Sequence, residues 1–179
     1  MKHLLTILSL TILISSCTTD DTTEEVENVF TGTLTDSVYN ERFGVNQIIS
    51  EYNYKDGKKN GLCKEWYDAE YENIVPEDFK HLAANSLKSE VNYKDDKKNG
   101  LARTWMKGKI VSEQNYKNGK KDGLWKHYWY ENVQLQKEGN YKNDKKDGLW
   151  KTWSKNGQLD EEVNYKNGKR NGLWKTWSE

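Results

Sequence analysis

One pattern constrains this chain more than any other: Asn-Tyr-Lys, a turn, Lys-Lys or Lys-Arg, then Asn/Asp-Gly-Leu. It occurs five times, beginning at Asn53, Asn92, Asn115, Asn140 and Asn164. From Asn92 onward the starts lie 23, 25 and 24 residues apart, too short for each unit to enclose a core of its own. Each unit must cover its neighbour's apolar face, which makes the chain a repeat array. Arrays of this kind serve as scaffolds or binding surfaces more readily than as catalysts.

One unit, Val163 to Trp177, reads as strand, turn, strand. Asn167-Gly168, Asn118-Gly119 and Asp56-Gly57 are hairpin signals, because both residues tolerate the positive φ that a turn matching strand twist requires. Asp95-Asp96 and Asn143-Asp144 replace the glycine with a residue that also tolerates that conformation. A second glycine recurs without exception at Gly61, Gly100, Gly123, Gly148 and Gly172. A side chain is excluded there either by positive φ or by close approach of a neighbouring ring or backbone. Close approach is the favoured explanation, since Trp or Tyr follows five residues later. Further turns at Met106-Lys107-Gly108-Lys109, Glu131-Asn132-Val133-Gln134 and Lys155-Asn156-Gly157-Gln158 join the units. The expected fold is all-β: an elongated, single-layer antiparallel meander of hairpin repeats. With 8 Trp, 11 Tyr and 3 Phe against 34% hydrophobic residues overall, rings supply most of its burial.

Tyr-x-x-Gly-Lys-x-x-Gly-x-Trp with a further Asn-Gly turn resembles the MORN repeat, in its bacterial variant form, over residues 30–179. Phe30-Thr31-Gly32 resembles the glycine step of a degenerate first unit, adding Gly32 to the structural glycines. The resemblance extends to bacterial relatives known as antitoxins of toxin–antitoxin systems. This chain has Gly-Leu-Trp, Gly-Leu-Cys or Gly-Leu-Ala where eukaryotic repeats have Gly-x-Gly, so the lipid binding of those arrays does not carry over. Between Asn53 and Asn92 the rhythm breaks. An insertion of about residues 68–86 holds the only proline, Pro76, and the spacing of Phe79, Leu82 and Ala83 predicts a short helix near residues 76–84.

The start of the chain points to export. Met1-Lys2-His3 and the apolar run Leu4–Ile14 have the form of a secretory signal and are too short to span a bilayer. Ile14-Ser15-Ser16-Cys17 resembles the bacterial lipobox. That resemblance implies a signal peptide over residues 1–16, lipid on Cys17 and a disordered polar tether over 17–29. The expected location is the bacterial envelope, lipid-anchored, and the outer membrane in a Gram-negative source because Thr18 rather than Asp follows the cysteine. Residues 18–51 hold eight acids against one base, leaving 26 bases and 20 acids in residues 52–179. Cys63, the other of two cysteines, has no intramolecular partner once Cys17 carries lipid. It reads as a buried structural residue, with a reactive thiol as the alternative.

No catalytic constellation, cofactor motif or metal-ligand spacing stands out, and the glycines recur at a structural period rather than in a phosphate-binding loop. His127 occupies a strand position otherwise held by Thr or Glu. The chain is therefore expected to be a non-enzyme without cofactors. Paired bases recur at one equivalent place in every unit: Lys58-Lys59, Lys97-Lys98, Lys120-Lys121, Lys145-Lys146 and Lys169-Arg170. Stacked units align them into a stripe that could meet anionic headgroups or an acidic protein. The same bases would also keep the array soluble and guard strand edges. Export removes the protein from nucleic acid. The expected function is a membrane-anchored binding or scaffold module for protein, glycan or anionic lipid. The alternative is an antitoxin or immunity-type protein that neutralises a toxin by direct binding.

Overall fold

The computed structural model describes residues 30–40, 45–67 and 86–177. They form one open antiparallel sheet. Its strands are β1 (Gly32–Asn40), β2 (Val45–Lys55), β3 (Lys58–Lys59), β4 (Gly61–Trp66), β5 (Leu87–Lys94), β6 (Lys97–Met106), β7 (Lys109–Lys117), β8 (Lys120–Tyr128), β9 (Leu135–Lys142), β10 (Lys145–Trp153), β11 (Leu159–Lys166) and β12 (Lys169–Thr176). Neighbours in sequence are neighbours in the sheet, except that the short β3 pairs only with β2. No second layer covers either face among the described residues, as the repeat period predicts. At about 4.8 Å per strand, the sheet is roughly 50 Å wide. The helix expected near residues 76–84 lies outside the described residues, as do the signal peptide, Cys17 and the tether.

Every motif hairpin turns through two residues of positive φ: Asp56 and Gly57, Asp95 and Asp96, Asn118 and Gly119, Asn143 and Asp144, Asn167 and Gly168. This is the mirror-image turn that suits strand twist. Successive turns are tied laterally through the backbone. Asp96 N–H donates to the Lys59 carbonyl, Gly119 to Lys98, Asp144 to Lys121 and Gly168 to Lys146. Gly57 donates to Phe30 in the same way, so the first motif turn is tied to the residues before β1 as later turns are tied to the unit before them. Gly32 faces Tyr54 as Gly61 faces Tyr93 and Gly100 faces Tyr116.

Beyond each turn the register breaks. Between β5 and β6, Val91 faces Ala102 but Tyr93 faces Lys98, leaving Asn99, Gly100 and Leu101 opposite Asn92 alone. Gly100 absorbs the surplus with φ +103°, and the Asn92 amide donates to the Leu101 carbonyl at 3.0 Å. Asn115 treats Leu124 likewise at 2.8 Å, around Gly123 at φ +105°. Positive φ, not approach of a ring, is thus what the recurring glycine supplies. An added Cβ would meet the Asn115 Cβ at 3.2 Å at Gly123, but nothing within 4 Å at Gly148 or Gly172.

Burial runs laterally along one face. Cys63 pairs with Val91, Val91 with Ala102, Ala102 with Gln114, Gln114 with Trp125, Trp125 with Gly139, Trp150 with Val163, and Val163 with Trp174. Within this row Cys63 is 3% exposed, Trp150 4% and Val163 2%. Burial also pushes the Cys63 thiol above its ordinary range, which fits a structural cysteine. Volumes compensate along the row: the one glycine, Gly139, lies where the indoles of Trp125 and Trp150 come within 5.5 Å of each other. A Cβ there would lie 2.2 Å from Trp150 Cδ2.

The opposite face carries a row of alternating charge. Glu51 faces Lys64, which faces Glu90, and the series continues through Arg103, Glu113, Lys126, Glu138, Lys151, Glu162 and Lys175. Arg103 bridges Glu90 at 2.8 Å and Glu113 at 3.0 Å. Burial would raise the Glu113 carboxyl, but hydrogen bonds from Tyr128 and Arg103 outweigh it and hold it below its ordinary range. A carboxylate held low in the folded state contributes stability at neutral pH that is lost as pH falls through its folded pKa.

Two stability outcomes follow from this packing. Gly139→Val should destabilise by about 3 kcal/mol through overpacking. Combining it with Trp150→Val should recover at least about 1 kcal/mol relative to additivity, as read by denaturant unfolding of both single variants and the double. Val133 has φ +59° in the loop position that Gly157 fills at +87°, a strained conformation for a β-branched residue. Val133→Gly is therefore expected to stabilise by about 1 kcal/mol, which an unchanged or lowered midpoint would contradict.

Candidate functional site

Two surfaces stand out, at opposite ends of the strands. The first is a basic ridge along the motif turns. The two-residue turns place Lys55 opposite Lys58, Lys94 opposite Lys97, Lys117 opposite Lys120, Lys142 opposite Lys145 and Lys166 opposite Lys169. Like charges directly opposite are unfavourable, yet all five turns have them. The first base of each predicted pair belongs to this ridge and is exposed.

The second base does something different. Lys59 Nζ lies 3.7 Å from the Tyr52 ring centroid, Lys98 5.1 Å from Tyr116 and Lys121 5.1 Å from Tyr141. Lys146 lies 4.3 Å from Trp150 and 4.7 Å from Tyr165, and the Arg170 guanidinium lies 4.5 Å from Trp174. These bases roof the ring row by cation–π contact. The predicted stripe of ten bases is therefore two rows on opposite faces, one exposed and one laid on aromatics. Sequence reading missed Lys55, Lys94, Lys117, Lys142 and Lys166, although each stands in the motif itself. Counting across a two-residue turn finds them.

The second surface lies where each far-end strand pairing carries one extra residue. Register shifts leave Ile49, Lys88, Val111, Gln136 and Asp160 without a cross-strand partner, and such bulges re-aim side chains. An open groove of about 460 Å³ is lined there by Trp125, His127, Trp129, Gln136, Lys137, Thr152, Trp153 and Asp160. A second, of about 530 Å³, is lined by Asp36, Ile49, Ser50, Tyr52, Glu65, Trp66, Tyr67 and Lys88. Each is built around a unit that departs from threonine at one strand position: His127 in the first, Glu65 in the second. Elsewhere Thr104 fills that position and bonds Ser112 at 2.7 Å.

The first groove is held firmly. Trp125 stacks on His127 with centroids 5.8 Å apart, His127 Nδ1 lies 2.7 Å from Gln136 Oε1, and the Trp129 indole donates to the Trp153 carbonyl at 3.1 Å. Trp150 donates its indole N–H to the Asn140 carbonyl, whereas the equivalent N–H of Trp125 is buried without a partner among the described residues. In the second groove Tyr52 donates to Glu65 at 2.7 Å, and burial together with that bond raises the phenol.

Among the described residues no group of three His, Cys, Asp or Glu side chains is arranged to hold a metal ion, and no helix is long and apolar enough to cross a membrane. The family model of the MORN repeat variant matches residues 146–167, from the second base of β10 through the turn that follows β11. The chain thus carries MORN-like repeats, and the cross-strand register extends the same geometry to its other units. No curated protein matches the chain with significant similarity.

If the opposed lysines are unfavourable for the fold alone, Lys117→Glu and Lys142→Glu should each stabilise the protein by a few tenths to about 1 kcal/mol at low salt. The gain should shrink as salt is added. Thermal unfolding at two ionic strengths checks this, and a loss of stability at low salt would show that the ridge is not under like-charge strain.

Proposed function

We propose that this protein is a lipid-anchored, non-enzymatic binding module of the bacterial envelope that uses the basic ridge to hold an anionic surface. The observation that carries the reading is the retention of a Lys–Lys cross-strand pair at every motif turn. Solubility and edge protection are served by bases placed anywhere along the edge. Opposing them costs stability, and concentrates positive charge in a line repeating about every 10 Å, two strand spacings. A line of fixed cations raises local potential and acts through number, since each base near an anionic surface contributes about 1 kcal/mol. The lipobox-like Ile14-Ser15-Ser16-Cys17 supports membrane attachment, which would present the ridge to headgroups or other envelope anions.

The test separates anchor from ridge. Cys17→Ser should move the protein out of the membrane fraction, and resistance of that variant to alkaline extraction would place the anchor elsewhere. Residues 18–179, produced without the leader, should bind anionic but not neutral vesicles. Binding should be lost at high salt and weakened progressively as Lys117, Lys120, Lys142 and Lys145 are changed to Gln. Salt-insensitive binding, or binding undiminished in the fourfold variant, would overturn the ridge as the site.

A further inference from the structure

We infer that the groove on β8–β11 is a second, independent site that takes a pyranose ring of a neutral glycan. The groove combines repeated positions, Trp125 of the buried row with Thr152 and Trp153, with positions that change from unit to unit. His127 stands where other units have Thr or Glu, and Gln136 and Asp160 occupy bulge positions held elsewhere by Ile49, Lys88 and Val111. Such variation along an otherwise repetitive sheet makes one place on the array chemically distinct.

The chemistry of that place fits a sugar. A pyranose has an apolar C–H face that stacks on indole and a rim of hydroxyls that bond to amide, carboxylate and ammonium groups. Trp125 and Trp129 supply rings, and both are fixed: one by stacking on His127, the other by its bond to the Trp153 carbonyl. Gln136, Lys137 and Asp160 supply polar groups around them, with the lysine and the aspartate opposite in charge. That balance suits a neutral ligand and distinguishes the groove from the ridge. At about 460 Å³ the space falls within the range of small-ligand sites. Val133, at positive φ in the loop that joins Trp129 to Gln136, is the kind of local strain that accompanies binding loops.

The experiment uses the full chain, purified in a detergent without a sugar headgroup, and follows the tryptophan indole N–H signals by NMR. The probes are cellotetraose, chitotetraose and maltotetraose. At least one should shift the Trp125 and Trp129 signals saturably. His127→Thr, which installs the residue of other units and so preserves the fold, should weaken that response about tenfold, as should Asp160→Ala. Lys120→Gln and Lys145→Gln should leave it unchanged, so failure of the ridge and failure of the groove are read separately. Absence of a saturable shift with all three probes at tens of millimolar, or undiminished affinity in both groove variants, would overturn the proposal.

Discussion

A single-layer sheet has no facing layer to bury its apolar side chains, and this constraint governs the rest of the structure. Burial comes from the strand on either side, so volume must be matched along the row rather than across a core. Gly139 beside Trp125 and Trp150 and small Ala102 beside Val91 and Gln114 are the result. The fully exposed β12, which has one neighbour among the described residues, shows the opposite case: Trp174 is 55% exposed where its equivalent Trp150 is 4%. Each unit is completed by the next, which is why stability in such arrays is a sum of neighbour terms.

With so little hydrophobic material, register has to be fixed by other means. The alternating charges from Glu51 to Lys175 do this on one face, because a slip of one residue would carry each charge to the opposite side of its strand. On the other face the second base of each turn roofs the rings and shields them from water. The bulge at each recurring glycine couples the two systems: it resets the register between the turn and the row, and in three units the Asn53, Asn92 and Asn115 amides take the leucine carbonyl left over. Asn, Gly and the paired bases are thus one mechanical unit.

Much of this was legible in the sequence because the signals are local. The turn dipeptides depend on adjacent residues, and each is found where the pattern placed it. The reason for the second glycine was misread because Gly148 and Gly172 have open space around them, so that only φ, which sequence does not display, excludes a side chain. The charge row was present as a glutamate two residues before each Asn and a base three after each Gly. Its meaning appears only once strands are paired. The grooves were least legible of all, since they arise from bulges whose extra residue no motif marks.

That difference in legibility separates folding residues from candidate binding residues. A position that every unit repeats is answering a demand that every unit shares, and here the demand is closure of the turn, the bulge and the buried row. The opposed lysines are the exception, repeated in every unit although like charges directly opposite are unfavourable, and the proposed binding role rests on that combination. At Glu65, His127, Gln136 and Asp160 the reverse holds: the fold accepts several residue types at those places, so their identity is free to be set by what the surface meets. Substitutions that fall on the bulges and not on the Asn–Gly step can therefore change the surface without changing the fold.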